Sequence, residues 1–390
     1  MNPANQFVYL DANATTAVAP EVRRAISAAL MEPANAGAAH AFGGRAREVV
    51  EKARFQLASL LGAAPSEVVF TSGATEANTL AIEGVVAASE GVRSRRPKVV
   101  SVAWEHHAVL EPLGRLRRLG WDVVLVDVDR EGAPCLDQLD AAIDEATLLV
   151  SVMAANNETG VLAPLREVSR LCAERGALLH TDATQAAAWG DVDVDDLGVD
   201  LLSLSAHKMH GPQGVGALYV SREVRRRSGI APLVPGGGQE SGLRGGTVNV
   251  PGVAGLGAAA SLVTKGTTER SATARALRGR LEHDLLAAHP GAWVNGGSST
   301  RLPGTLNICF PGFPAEAVLA GAPFLAASAG SACRAGAPEP SHVLLAMGLS
   351  RDDADASIRF SLSSDTTEDD IDRAVEMVHS SLRRLEGSMK

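Results

Sequence analysis

Short apolar runs alternate along the first half of the chain with longer stretches whose apolar positions recur at helical spacing. The runs at 68–70, 98–102, 123–126, 148–153, 177–180, 199–204 and 216–220 predict strands. The stretches at 20–31, 45–61, 107–119 and 164–175 predict helices, and another runs on from Thr71-Ser72-Gly73-Ala74-Thr75-Glu76 to about Ser89. Pro20 stands near the start of the first helix, and Gly62 stops the second. Residues 35–44, rich in Gly and Ala with one histidine, read as a loop. Strands alternating with helices predict a mostly parallel sheet covered on both faces. From Val253 a long helical stretch runs to about His289 with a break near Gly266, and the domain boundary is placed there. Beyond it the pattern turns α+β, with strands at 306–310 and 358–362, a helix at 315–319 and a charged amphipathic helix at 367–386.

Ligands in such folds sit beyond the carboxyl ends of the strands. His106, Asn157, Asp182 and Lys208 each follow an expected strand, so four polar residues converge on one rim. A lysine there is either an ordinary surface residue or, with its charge penalised by partial burial, an amine that attacks a carbonyl. The turn Thr71-Ser72-Gly73-Ala74-Thr75-Glu76 is either a plain capped helix, with Thr75 or Ser72 capping, or an anion site at a helix N-terminus. No Gly-Lys-Ser/Thr follows, so it is not a nucleotide P-loop.

Composition narrows the class. The 390 residues are 46% hydrophobic, enough for two domains or one large domain with an appendage. A net charge of -9 argues against nucleic acid or anionic membrane as a direct partner. No apolar run is long enough to span a bilayer, and no basic-then-apolar leader opens the chain. The four cysteines form no CxxC pair, so neither a metal site nor a disulfide framework is expected, and a reducing cytoplasm fits. Cys172 and Cys309 read as inert core residues. Cys333 differs: it lies among small residues beside Arg334, in a segment with little to pack it and a neighbour that favours thiolate.

Taken together, Thr71-Ser72-Gly73-Ala74-Thr75-Glu76, Glu105-His106, Asn156-Asn157-Glu158-Thr159-Gly160, His180-Thr181-Asp182-Ala183-Thr184-Gln185, Ser205-Ala206-His207-Lys208, Arg244-Gly245-Gly246-Thr247, Gly330-Ser331-Ala332-Cys333 and Arg359-Phe360-Ser361-Leu362 resemble a known family. In this order they resemble the cysteine desulfurases, in the class V branch of fold-type I pyridoxal-phosphate (PLP) enzymes, over nearly the whole chain. The resemblance implies a fold-type I α/β domain with a mostly parallel seven-stranded sheet over 21–262, a small α+β domain over 263–390, and an N-terminal segment 1–20 packing with the latter. Residues 326–340 would be a long mobile cysteine loop.

It also implies roles. Lys208 would bond the cofactor covalently, Asp182 would pair with the pyridine nitrogen, and His106 would stack on the ring and help move protons. Asn157 and Gln185 would hydrogen-bond near the phenolic oxygen. Ala74, Thr75, Ser205 and His207 would hold the phosphate. Thr247 would complete that cup from the partner of a homodimer. Arg359 would clamp the substrate carboxylate, a task suited to a planar fork of donors, with Asn35 and Asn157 assisting. L-cysteine would be the substrate, Cys333 would take its sulfur as a persulfide, and L-alanine would leave. The sulfur would pass to an acceptor protein serving iron–sulfur assembly, tRNA thiolation, DNA phosphorothioation or another thio-product. Ala12, the run Asn35-Ala36-Gly37-Ala38-Ala39-His40, His210, Gln213 and Arg334 depart from the usual pattern, which bears on acceptor choice more than on chemistry. Rival readings are a selenocysteine lyase, a class V aminotransferase with no use for Cys333, a non-catalytic scaffold and, last, a nicotinamide dehydrogenase.

Overall fold

The computed structural model describes residues 7–33, 35–89, 97–190, 192–329 and 339–389. Its strands are β1 Val8–Tyr9, β2 Val68–Thr71, β3 Lys98–Val102, β4 Asp122–Val126, β5 Thr147–Ser151, β6 Leu178–Asp182, β7 Leu201–Ser205, β8 Gly216–Val220, β9 Trp293–Val294, β10 Thr305–Cys309, β11 Leu325–Ala326, β12 Ser328–Ala329 and β13 Ser357–Ser361. The helices that bear on the site are α1 Pro20–Leu30, α2 Ala41–Leu61, α3 Ala74–Ala88 and α4 His107–Arg118.

Among the described residues, seven strands form the main sheet in the order β2-β8-β7-β6-β5-β3-β4. Only β8 runs against the rest: it pairs antiparallel with both β2 and β7. The carboxyl ends of β2, β3, β5, β6 and β7 therefore share one edge. Alternation along each strand explains why the runs are apolar almost throughout. Val99, Leu149 and Leu201 belong to the core on the α3 face, whereas Val100, Val150, Leu179 and Leu202 belong to the opposite core. Both faces are buried, so both parities are mostly apolar, and the polar residues there, such as His180, Ser151 and Ser203, pair with one another.

A second, four-stranded antiparallel sheet has the order β12-β13-β10-β9 and packs around its own core of Leu306, Ile308, Phe360 and Leu382. The N-terminal β1 pairs with β11, and Val8 and Leu10 join that core. One helix, Val250–Ala288, serves both regions. Its first half, with Val253 and Leu256, packs on the main sheet, and Leu281 and Leu285 near its end pack on the small one. At Gly266 the backbone leaves helical geometry (φ -142°), at the break expected from the sequence.

Two local expectations are corrected. The loop read at 35–44 ends earlier, because α2 begins at Ala41 with His40 as its cap, Nδ1 accepting from the Gly43 amide at 3.2 Å. Gly43 hides this helical turn in the sequence, yet glycine is required, since a Cβ there would lie 2.1 Å from the Ala38 carbonyl oxygen. At α3 neither Ser72 nor Thr75 caps. Gly73 is the N-cap and makes no side-chain cap bond, while the Glu76 carboxylate accepts from the Ser72 amide at 2.8 Å. The short helices Leu136–Ala142, Val194–Leu197 and Arg222–Arg226 carried no clear sequence signal.

Candidate active site

A cavity of about 540 Å³ opens at the carboxyl edge of the main sheet, against the small sheet. Ala74, Thr75, His106, Asn157, Asp182, Gln185, Ser205, His207, Lys208 and Arg359 all line it. Asn35 and Thr247 do not: both are exposed, and neither borders the cavity of its own chain. Cys333 lies outside the described residues.

Strand ends position the chemistry. Asp182 closes β6, is 7% exposed, and receives Asn78 Nδ2 at 2.6 Å and the Thr184 amide at 2.9 Å. Lys208 stands in the single turn after β7, and its Nζ donates to the carbonyls of Asn13 and Ala14. Asn13 is a hub that sequence reading missed. Its amide nitrogen donates to the Asn157 carbonyl and to Thr305 Oγ1, each at 3.0 Å, and its carbonyl also receives Gln185 Nε2 at 3.1 Å.

His106 follows β3 and caps α4, Nδ1 accepting from the Ala108 amide at 3.0 Å. That bond leaves the neutral ring's proton on Nε2. His106 is solvent-exposed within the cavity, and the partial desolvation there lowers its pKa against the pull of Asp182. Its neighbour Glu105 is fully buried, and burial followed by the Asp182 charge pushes its carboxyl well above the usual range. Beneath Asp182, His180 bridges Ser151 and Ser203 on the flanking strands, at 2.8 and 3.0 Å. Burial holds His180 down to about 4. His207 is also held down to about 4, by burial and then by Lys208. Burial likewise pushes the Cys172 and Cys309 thiols up to about 12, in keeping with inert core residues.

The start of α3 forms an anion cup. Its first amides have no acceptor within the helix. Gly73, at φ 157°, turns its hydrogen toward the Ser205 hydroxyl, and a Cβ there would still leave Ser205 Oγ 4.0 Å away. Gly216 is the tight point behind the cup: a Cβ would meet the Leu204 carbonyl oxygen at 2.5 Å and Gly73 Cα at 2.7 Å.

The far wall belongs to Arg359 on β13, which is 7% exposed. Its Nη2 donates to Asp11 Oδ1 at 2.7 Å and to Ser328 Oγ at 3.0 Å, and its Nη1 donates to the Asn157 carbonyl at 3.1 Å. Asp11, Asn78 and Ser328 were not singled out in the sequence, because no local pattern links them to partners 348, 104 and 31 positions away.

Residues 8–374 match the family model described as aminotransferase class-V. The chain belongs to this family. It is 44% identical over 380 residues to a protein of Anaeromyxobacter sp. (strain Fw109-5) named cysteine desulfurase IscS, covering 97% of this chain and 93% of that one. Among solved structures it is similar to a NifS-like protein, with TM-score 0.89 and 36% identity over 97% of this chain and 99% of the other. It is also similar to SspA in complex with cysteine, with TM-score 0.80 and 36% identity over 92% and 99%. The fold is thus the NifS-like PLP-transferase fold. The family's cofactor is pyridoxal phosphate, and the wall fits it. The α3 cup suits a phosphate, Asp182 suits a pyridinium nitrogen, and Lys208 suits an aldehyde. Two buried polar atoms in the wall, Asn78 Oδ1 and Thr184 Oγ1, have no partner among the described residues. Among those residues no group of His, Cys, Asp and Glu is arranged to hold a metal ion, and no helix is long and apolar enough to cross a membrane.

Proposed function

We propose that this protein is a cysteine desulfurase that moves the sulfur of L-cysteine to Cys333 and from there to an acceptor protein. The convergence of Lys208, Asp182, His106 and Arg359 on one cavity carries this reading. In the overall exchange the substrate C–S bond breaks and an S–S bond to Cys333 forms. L-cysteine and a thiol become L-alanine and a persulfide, with no external oxidant or reductant.

Bound pyridoxal phosphate supplies an aldehyde that bonds amines and a protonated ring that withdraws the electron pair left by an α-proton. The chain's own groups do the rest. Asp182, fixed by Asn78 and Thr184, holds a proton on the ring nitrogen. His106, with its proton on Nε2 and its side chain lining the cavity, would give or take a proton beside the bound cofactor. Lys208 would be the amine that holds the cofactor's aldehyde. Arg359 receives the substrate carboxylate and so sets which end of the amino acid points inward. The amides of Ala74 and Thr75, with Ser205 and His207, hold the phosphate.

Thr247 is exposed and away from its own cavity, which supports a homodimer in which it and Asn35 face the partner's site. The division into segments 1–20, 21–262 and 263–390 is supported by the helix break at Gly266 and by the second core around Leu281, Leu285, Leu306 and Phe360, while Val343, Leu344 and Met347 pack with the first core. Arg334 and the other sequence departures leave the acceptor open among iron–sulfur, tRNA and phosphorothioation routes.

The test is a pair of variants. Cys333→Ser should keep the yellow cofactor and bind L-cysteine, yet form no persulfide and release no alanine beyond background. Lys208→Ala should lose the yellow colour and at least about a thousandfold in turnover, roughly 4 kcal/mol. Desulfurase turnover surviving in Cys333→Ser would reject the nucleophile assignment.

A further inference from the structure

Arg359 already holds a carboxylate. A guanidinium grips a carboxylate with two parallel N–H bonds along one of two forks, Nε with Nη2 or Nη1 with Nη2. Both forks draw on Nη2. Here Nη2 already donates to both Asp11 Oδ1 and Ser328 Oγ. Nε, buried, has no partner among the described residues. A second carboxylate gripped two-handed must therefore compete with Asp11 and Ser328 for Nη2.

Electrostatics explains why something must hold that place. A cation 7% exposed on an inner strand costs several kcal/mol to bury without a counter-charge. Before substrate arrives, that charge has to come from the chain. Asp11 supplies it from the end of the N-terminal segment, and its side chain also faces the cavity, so solvent can receive it on release. Ser328 Oγ donates to the same Asp11 oxygen at 2.9 Å, which closes a three-way contact among β13, β12 and the N-terminal segment.

We propose that Asp11 occupies, in the substrate-free protein, the seat on Arg359 that the carboxylate of L-cysteine takes. Binding is then an exchange of one carboxylate for another, with Ser328 as the second group that must shift. This rests on the reading of Arg359 as the substrate-carboxylate clamp. Asp11 acts here as a specificity and affinity residue that competes with substrate; it takes no part in the bond-breaking step.

The experiment uses the holoenzyme and propionate, a carboxylate without an amine, so that binding reports on Arg359 alone. Propionate Kd is measured by calorimetry, and KM and kcat for L-cysteine by alanine release. In Asp11→Asn both the propionate Kd and the KM should fall about fivefold, with kcat changed less than about twofold, because the internal competitor has lost its charge. Ser328→Ala, which keeps the ion pair and should fold if Asp11→Asn does not, should lower both about twofold. Arg359→Lys should raise both about tenfold. If Arg359→Lys leaves propionate binding unchanged, the clamp reading and the exchange both fail. If Arg359→Lys weakens binding as expected but Asp11→Asn and Ser328→Ala leave the propionate Kd unchanged or higher, the exchange alone fails.

Discussion

The two walls of the cavity are built in opposite ways. On the main-sheet wall, each functional group stands at the end of a parallel strand, and neighbouring strands fix its place. Polar atoms there, such as Asn78 Oδ1 and Thr184 Oγ1, have no partner among the described residues. On the small-sheet wall, Arg359 takes its contacts from Asp11 and Ser328, which lie 348 and 31 residues away in the chain. There Nη2 donates to both, while the buried Nε has no partner among the described residues. One wall presents Asp182 and Lys208 to the cavity, and the other already holds its own counter-charge on Arg359, which substrate must displace. The first arrangement favours a permanently bound group, and the second favours one that comes and goes each turnover.

This contrast can be broken by variants on the main-sheet wall that behave like those on the other. The largest effect is expected at Asp182. Asp182→Asn keeps the contact size but removes the charge, so turnover should fall about a hundredfold or more, roughly 2.7 kcal/mol. The loss should appear in kcat, whereas Arg359 and Asp11 variants act on KM. An Asp182→Asn enzyme impaired in KM alone would erase the distinction. Next is Gly216→Ala. A Cβ 2.5 Å from the Leu204 carbonyl oxygen and 2.7 Å from Gly73 Cα cannot fit without moving the anion cup. Cofactor affinity should drop about tenfold and the fold lose about 1–3 kcal/mol. Equilibrium dialysis and thermal melting report the two separately, and an unchanged cofactor affinity would mean that the cup tolerates slack.

The smallest effect concerns the support under the wall. His180 is neutral in the folded state, held down to about 4 by burial. Between pH 6.5, where a free histidine titrates, and about 4, the unfolded chain takes a proton that the folded one refuses. His180 therefore contributes stability above pH 6.5 that is lost as pH falls toward 4, on the order of 1–3 kcal/mol. Chemical denaturation of His180→Gln should show a shallower loss across that window than the unaltered chain. A parallel slope in both would mean that other groups carry the acid sensitivity.

Legibility in the sequence follows the same division. Lys208 and Asp182 could be found because an apolar run stops at each, and a stopped run is a local signal. The break at Gly266 and the turn at 71–76 were legible for the same reason. Asp11 and Asn13 were not, because a short strand followed by a polar turn looks alike whether its side chains face water or a guanidinium 348 residues on. Asn78 reads as one more position on a helix, and only the approach of α3 to β6 makes it the partner of Asp182. Gly43 misled because a glycine inside a first helical turn resembles a loop, when the cause is the Ala38 carbonyl pressed against it. Contacts set by the packing of distant segments leave no periodic trace.

The alternation within β6 carries one last consequence. His180 and Asp182 share a parity and point toward α3, while Leu179 points the other way. Slipping this strand by a single residue would keep its hydrogen-bond ladder and leave the sheet standing. It would also swing the carboxylate through to the far side and put Thr181 or Ala183 in its stead. Lengthening or shortening the chain by one residue here would thus spare the scaffold and silence the chemistry, whereas the same change in the connecting loops would be absorbed.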